Sequence, residues 1–563
     1  MSNKWKWLGI TGFSLALLSA CSAGNGEESA SSEPENSGSG SFENAFKVYE
    51  ASAGPINLEA KETTIDLGST NFEAWTYGNT VPGPQIRATV GDTVEVNLQN
   101  TLPEPVTIHW HGIPLPNNMD GIPGVTQNAI QPGEEFTYKF TAEDPGTYWY
   151  HSHQNGSVQV DKGLYGTIIV EEEEKSYDKD FTLVFDEWQT GSSMEGMDSE
   201  DEDMSGMEGM DSEGEDMSGM EGMDSEGEDM SGMEGMDSEG EDMSDMEGMD
   251  SEGEDMSGME ESGSEAHDMA EMYDTFTING KTGDSIPEIE VEKGERIRLR
   301  LVNAGNMEHM IDVNVPGFKV VATDGQPIEN PPVIQDQLIR IGPGERYDIE
   351  FTVEEEGSWH IDCHAQDMEG MDGMEDMSTV IRTAGATDTD QKEADDAESM
   401  PIFDFTSYGE LAESPFSLDD EFDVEYEMDL NTRTGEDGEA EYTINDKVFP
   451  NTDPLSVAEG DKVKVTFQNN STSDVHPMHL HGMFFQVLSK NGEPLTGAPI
   501  IKDTLNIQPG ESYEVAFLAD NPGDWMFHCH DLHHASAGMV TLVEYEGFEP
   551  DFTPDPDANN QPE

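Results

Sequence analysis

Four short motifs concentrate the histidines of this chain: His109-Trp110-His111-Gly112, His151-Ser152-His153, His476-Pro477-Met478-His479-Leu480-His481-Gly482, and His528-Cys529-His530 continuing to His534 and Met539. They hold ten of the 15 histidines. On a β-strand, residues two apart face the same side and neighbours face opposite sides. Each His-x-His pair therefore aims two imidazoles into one space, and the four pairs supply eight. That number suits several metal ions and exceeds the four ligands of a structural zinc site. His476 lies three residues before His479 and faces the other way, as Cys529 does relative to His528 and His530. Two imidazoles (His476 and His534), the Cys529 thiolate and a weak axial Met539 describe a blue-copper electron-transfer centre. The peptide path from Cys529 to its neighbours His528 and His530 connects that centre to the multi-histidine cluster.

Strands must position these motifs, and the sequence repeats them three times. Gly91 to Asn100 alternates apolar and polar residues, which is strand periodicity, and the pattern returns at Gly294 to Asn303 and Gly460 to Asn469. A Pro-Gly-Glu turn recurs at Pro132, Pro343 and Pro509. From each of those prolines to Ser152, Cys363 and Cys529 is 20 residues in all three copies. Short strands with Gly/Pro turns indicate antiparallel sandwiches or barrels. The expected division is three homologous β domains at 45–175, 181–385 and 401–548, with a polar tail at 549–563. Phe181 to Phe185 reads as the first strand of the second domain, and Tyr273 to Ile278 resumes its sheet. Between them runs a low-complexity insert, 191–272, with a 13-residue period, 32 acids and no Lys or Arg. Such a composition cannot build a core, so disorder in isolation is expected.

With these motifs the chain resembles a three-domain bacterial multicopper oxidase, of the laccase and copper-resistance cuprous oxidase family. The resemblance covers about residues 45–548 apart from the insert. It implies an all-β fold of three cupredoxin-like Greek-key barrels and four coppers as cofactors. Type 1 copper would be held by His476, Cys529, His534 and Met539, and type 2 copper by His109 and His479. One type 3 copper would take His111, His151 and His530, and the other His153, His481 and His528. Asp120 matches a family acid near the trinuclear cluster that helps deliver protons; the competing reading makes it a turn residue in Met119-Asp120-Gly121. Many bacterial members carry Glu directly after the last type 1 histidine, where this chain has Ala535, and Asp531 is the candidate substitute. In the middle domain Cys363 and His364 align with Cys529 and His530, and His309 stands near the place of His476, but Asp362 replaces His528 and Met368 replaces His534. The favoured reading is a decayed duplicate with an inert thiol. The alternative is an extra copper-docking site using Cys363, His364 and the nearby Met368, Met371, Met374 and Met377.

The insert bears on the substrate. Residues 194–259 hold 16 methionines, among them Met204, Met207, Met210, Met217, Met220 and Met223. Glycine recurs in every period, which disfavours a helix. Thioethers are soft ligands that select Cu(I), whereas carboxylates are harder and suit Cu(II). The reading is an oxidase that couples one-electron oxidation of Cu(I) to four-electron reduction of O2 to water, in copper tolerance. The alternatives are a laccase acting on phenols, an Mn(II) or Fe(II) oxidase, or, from another class, a surface copper-sequestering protein. The complete ligand set argues against the last. Residues 1–20 carry a basic start and a short apolar core that ends at Leu18-Ser19-Ala20-Cys21, which resembles a lipobox. The expectation is an extracytoplasmic lipoprotein, anchored to the bacterial cell membrane through lipidated Cys21 and a polar tether, 21–44. A formal charge of −96, from 121 acidic and 25 basic residues, excludes nucleic acid as a natural partner. Even without the insert the charge is −64, which suggests a salty habitat.

Overall fold

Each of the three Gly-to-Asn repeats forms an eight-residue strand: Thr93–Asn100, Arg296–Asn303 and Lys462–Asn469. Each runs parallel to one neighbour and antiparallel to another, well inside its sheet. The terminal asparagine explains why the repeat ends as it does. The Asn469 side-chain amide donates to the carbonyls of Asp474 and Ile507, at 2.8 and 2.9 Å, and its Oδ1 accepts from the Ser471 backbone N–H at 2.9 Å. Asn100 bonds in the same way to Glu104, Ile130 and Leu102, and Asn303 to Met307, Ile341 and Gly305. A buried amide thus ties the end of each repeat strand to the loop that leads into the next strand, and these buried backbone groups find partners there.

The computed structural model describes residues 42, 45–191, 273–364, 374–386, 400–435 and 438–563. Six sheets come from three consecutive stretches of chain, two sheets from each. The all-β architecture of three cupredoxin-like barrels is therefore the one expected. Apolar side chains from both sheets of each pair fill the interior, with Val94, Val96, Leu98, Val463, Val465 and Phe467 fully buried along two of the repeat strands.

Two sheets carry the histidines. In the first barrel the strand order is Val48–Glu50, Gly83–Thr89, Tyr165–Glu171, Gly146–His151 and His109–His111. In the third it is Leu455–Val457, Val540–Tyr545, Asp524–Cys529, His476–Leu480 and Thr504–Ile507. In the middle barrel Lys179–Trp188 pairs antiparallel with Thr275–Ile278, so the insert leaves and re-enters between adjacent strands of one sheet. Cys21, the tether apart from buried Phe42, Met204, Met207, Met210, Met217, Met220, Met223, Met368 and Met371 lie outside the described residues.

Candidate metal centre

Pairing register brings the motifs together. His109 stands opposite His151 in the first barrel, and His479 opposite His528 in the third. The two sheets meet through their histidines: the His111 ring stacks on His479 with centroids 3.7 Å apart, and His109 stacks on His481 at 4.0 Å. The glycine that closes each His-x-His-Gly motif has a spatial reason. Gly112 and Gly482 both adopt positive φ, and a Cβ on either would collide, with the Arg346–Asp503 pair in one case and the Trp525 ring in the other. All eight imidazoles are buried. Their nitrogens converge in three groups within 4.8 Å: His109, His111 and His479; His111, His151 and His530; His153, His481 and His528.

Hydrogen bonds decide which nitrogen of each ring is free. The Nδ1–H groups of His109, His151, His153, His479 and His528 donate to the carbonyls of Asp120, Ser152, Pro562, Asp503 and Cys529, at 2.6–3.0 Å. Donation from Nδ1 leaves Nε2 as a lone pair aimed inward. His111 is reversed: its Nε2 lies 3.1 Å from Asp503 Oδ1 and 3.0 Å from Thr504 Oγ1, which leaves Nδ1 inward. The buried ring nitrogens without a hydrogen-bond partner include the Nε2 atoms of His109, His151, His479 and His530, and Nδ1 of His111. These are the atoms a copper ion would use, so the residues present fit such ions. Burial, followed by repulsion from neighbouring imidazoles, pushes His111, His151, His481 and His530 well below the usual histidine range. Neutral imidazoles are the form that binds a metal.

Asp120 bridges two of the histidines. One carboxylate oxygen is 3.2 Å from His109 Nδ1 and the other 3.0 Å from His481 Nδ1. It follows the short Asn117–Met119 turn, as the bland reading supposed, but its side chain is buried against the cluster. Asp120→Asn keeps the size and loses the charge shared by the two rings. Turnover of O2 should fall roughly 10- to 100-fold with all copper retained, measured by O2 uptake on copper-matched protein. Unchanged turnover at every pH would leave Asp120 as a turn residue.

The second site lies on the opposite face of the same strands. Cys529 Sγ is 3.8 Å from His476 Nδ1 and 3.7 Å from His534 Nδ1. The Cys529 N–H donates to the Met539 carbonyl at 3.0 Å, which joins the backbones of these two buried residues. Burial pushes the Cys529 thiol up and holds His534 down to about 3. The thiol therefore keeps its proton until a bound metal displaces it from the sulfur. Tyr442 stacks on His534 at 3.8 Å, and Asp531 Oδ2 is 3.3 Å from His534 Nε2. Asp531 also caps the helix Leu532–Ser536 by accepting from His533 and His534. It is engaged with His534, and burial pushes its carboxyl up to about 6. Ala535 packs against Ile122, Met526 and Val540.

Several functional groups were missed in the sequence. Asp503 orients His111 and His479 while accepting two hydrogen bonds from the Arg346 guanidinium, at 2.7 and 2.6 Å. Burial alone would raise its pKa, but Arg346 holds the carboxylate below its usual range. The segment read as a polar tail instead lies along the first barrel: Asn155 N–H donates to the Gln561 carbonyl and Gln561 N–H to Gln154 Oε1, at 2.8 and 2.9 Å. This docking places Glu563 Oε1 3.1 Å from His153 Nε2 and 3.5 Å from His528 Nδ1. Glu563 is thus the carboxylate at that edge of the cluster, and burial pushes it well above the usual range. A conspicuous acid-to-histidine spacing would have flagged these residues, and the sequence contains none.

Comparison with known proteins agrees with this geometry. Sequence profiles described as multicopper oxidase match residues 59–175, 251–385 and 415–547. The multicopper oxidase MmcO of Mycobacterium tuberculosis is 31% identical over 497 residues, covering 87% of this chain and 86% of that protein. Copper resistance protein A of Escherichia coli is 25% identical over 593 residues, covering 87% and 92%. The crystal structure of a multi-copper oxidase from Pseudomonas thermotolerans aligns with a TM-score of 0.59 at 25% identity, covering 89% of this chain and all of that one.

Proposed function

The chain belongs to the multicopper oxidase family, copper-dependent oxidoreductases that pass electrons to O2, and on that premise we propose that its reducing substrate is Cu(I), oxidised to Cu(II) in copper tolerance. Four coppers, one type 1, one type 2 and two type 3, supply one-electron acceptance at one centre and four-electron delivery to O2 at the other. Our assignment gives the first to His476, Cys529, His534 and Met539, and the second to the eight clustered histidines, with His109 and His479 at type 2. Within the chain, Cys529 carries electrons along its own backbone to His528 and His530, which belong to two different groups of the cluster. Asp503 and Thr504 hold His111 and His479 in place. Asp120 holds His109 and His481 from the opposite side, where its carboxylate is positioned to pass protons inward.

One observation supports Cu(I). Tyr273, the first described residue after the insert, hydrogen-bonds through its hydroxyl to His533 Nε2 at 3.1 Å and to Asp161 at 3.2 Å. His533 is the direct neighbour of His534, so the first described residue after the insert lies at the edge of the electron-accepting centre. A soft, acidic tract rooted there concentrates Cu(I) where its electron is taken, and offers carboxylates to the Cu(II) that results.

Deleting residues 192–272, or replacing the 16 methionines of the tract by leucine, should raise KM for Cu(I) about tenfold, an effect of roughly 1.4 kcal/mol. Oxidation of a phenol should be unchanged or faster, because a phenol has no use for thioethers. O2 uptake with Cu(I), a phenol, Mn(II) and Fe(II), compared on copper-matched proteins, makes the test. Equal Cu(I) kinetics in intact, deleted and Met→Leu proteins would remove the recruitment role and leave the tract a solvated spacer.

A further inference from the structure

We infer that the middle barrel carries a fifth copper site, selective for Cu(I), built from His309, Cys363 and Met377. The middle barrel repeats the third at this place, strand by strand. In the third barrel, His476–Leu480 pairs antiparallel with Asp524–Cys529, with Met478 opposite Cys529 and His476 two residues before Met478. In the middle barrel, His309–Val313 pairs antiparallel with Ser358–His364, with Ile311 opposite Cys363 and His309 two residues before Ile311. The resulting approach is the same: Cys363 Sγ lies 3.5 Å from His309 Nδ1, against 3.8 Å for Cys529 and His476. A methionine backbone also stands at the corresponding place. Cys363 N–H donates to the Met377 carbonyl at 3.1 Å, as Cys529 N–H donates to that of Met539 at 3.0 Å. His309, Cys363, Met374 and Met377 are all buried.

A thiol merely filling a core needs no oriented imidazole, and His309 is oriented. Glu187 Oε2 lies 3.3 Å from His309 Nε2 on the side away from the sulfur. Glu187 is itself fixed, because its other oxygen accepts from the Asn306 and Met307 backbone N–H groups. The Glu187 carboxylate stands at ion-pair distance from the outer ring nitrogen, without a hydrogen bond between them, while the inner nitrogen faces the thiol, a placement like that of the carboxylates that support metal-ligating histidines. The counterpart of His534 would be Met368, which lies outside the described residues.

The donor set chooses the ion. One imidazole, one thiolate and one thioether make a low-coordinate, sulfur-rich site, which favours Cu(I) over Cu(II) and over hard divalent ions. Binding is written Cys363–SH plus Cu(I) giving Cys363–S–Cu(I) plus a proton, with no change of oxidation state. The ion would be colourless and would take no part in turnover.

The test uses the full-length, copper-loaded, air-oxidised protein, treated with excess bathocuproine disulfonate to strip weakly held Cu(I) from thioether-only sites. Copper per chain is measured together with the cuprous feature of the copper K-edge. The expected result is one copper beyond the four, and a cuprous signal from that one alone. Cys363→Ala should lose that copper and that signal while keeping the blue absorption and phenol oxidation. Met377→Leu, which nearly conserves volume and guards against a folding defect, should hold the extra copper about tenfold more weakly. Four coppers with no cuprous signal, or a fifth copper that survives Cys363→Ala or is held equally well after Met377→Leu, would overturn the assignment.

Discussion

Cys529→Ser should turn the copper-loaded protein colourless and cut Cu(I)-dependent O2 uptake roughly a thousandfold, about 4 kcal/mol of barrier. The reasoning is local. Cys529 Sγ is the atom shared by His476 and His534, and the blue colour of such a centre arises from thiolate-to-Cu(II) charge transfer. A serine hydroxyl is a harder donor that stays protonated, so it supplies neither the colour nor the electronic path to His528 and His530. The fold should survive. Cys529 is enclosed by apolar residues of the third barrel, and a buried hydroxyl there costs about 1–3 kcal/mol. The eight clustered histidines would keep their copper, which can be counted directly. A blue or active Cys529→Ser protein would contradict the assignment.

The second large effect concerns stability. Arg346 is fully buried, gives Asp503 two hydrogen bonds, and donates further to the carbonyls of Gly344 and Thr147. Close by, buried Lys502 pairs with Asp324 at 3.0 Å and Glu345 at 3.1 Å, so two cations face three carboxylates in this interior. Removing one partner leaves a buried carboxylate uncompensated, which costs about 3–5 kcal/mol. Arg346→Ala should therefore lower the denaturation midpoint substantially. It should also loosen copper at His111 and His479, because Asp503 is their support. Arg346→Lys keeps the charge but not the planar fork, and should recover part of the stability and less of the copper. An Arg346→Ala protein as stable as the parent, with four coppers, would show that Asp503 needs no partner.

The ligands were legible because the strand period of two is written directly in His-x-His, and the repeat register showed where the strands are. The opposed orientation of His476 and His479 followed from the same parity and is found in the structure, on two faces of one strand. What supports the ligands was hidden. Asp503 stands 24 residues beyond His479 and reaches the cluster only because Thr504–Ile507 pairs with His476–Leu480. Arg346 comes from a strand of the middle barrel, and nothing in its own segment marks it as the partner of Asp503. Composition misled at 549–563. Acidic and amide residues suggested only a polar tail, yet those amides meet complementary groups around Gln154 and Asn155 and carry Glu563 against the histidines. Ala535 could be seen as a departure, but the surroundings of the candidate substitute Asp531 could not. It faces His534, because its side chain caps the helix that carries His534.

The most direct test of the central claim is a stoichiometry. Cu(I), held as a weak complex to suppress its own reaction with O2, is added in known amounts to the full-length protein while Cu(II), O2 and H2O2 are followed together. If Cu(I) gives its electrons at the Cys529 centre and the histidine cluster carries O2 to water, four Cu(I) should disappear per O2, with no H2O2 and with saturation in Cu(I). Two Cu(I) per O2 with H2O2 released, or Cu(I) oxidation no faster than with the Cys529→Ser protein, would contradict it.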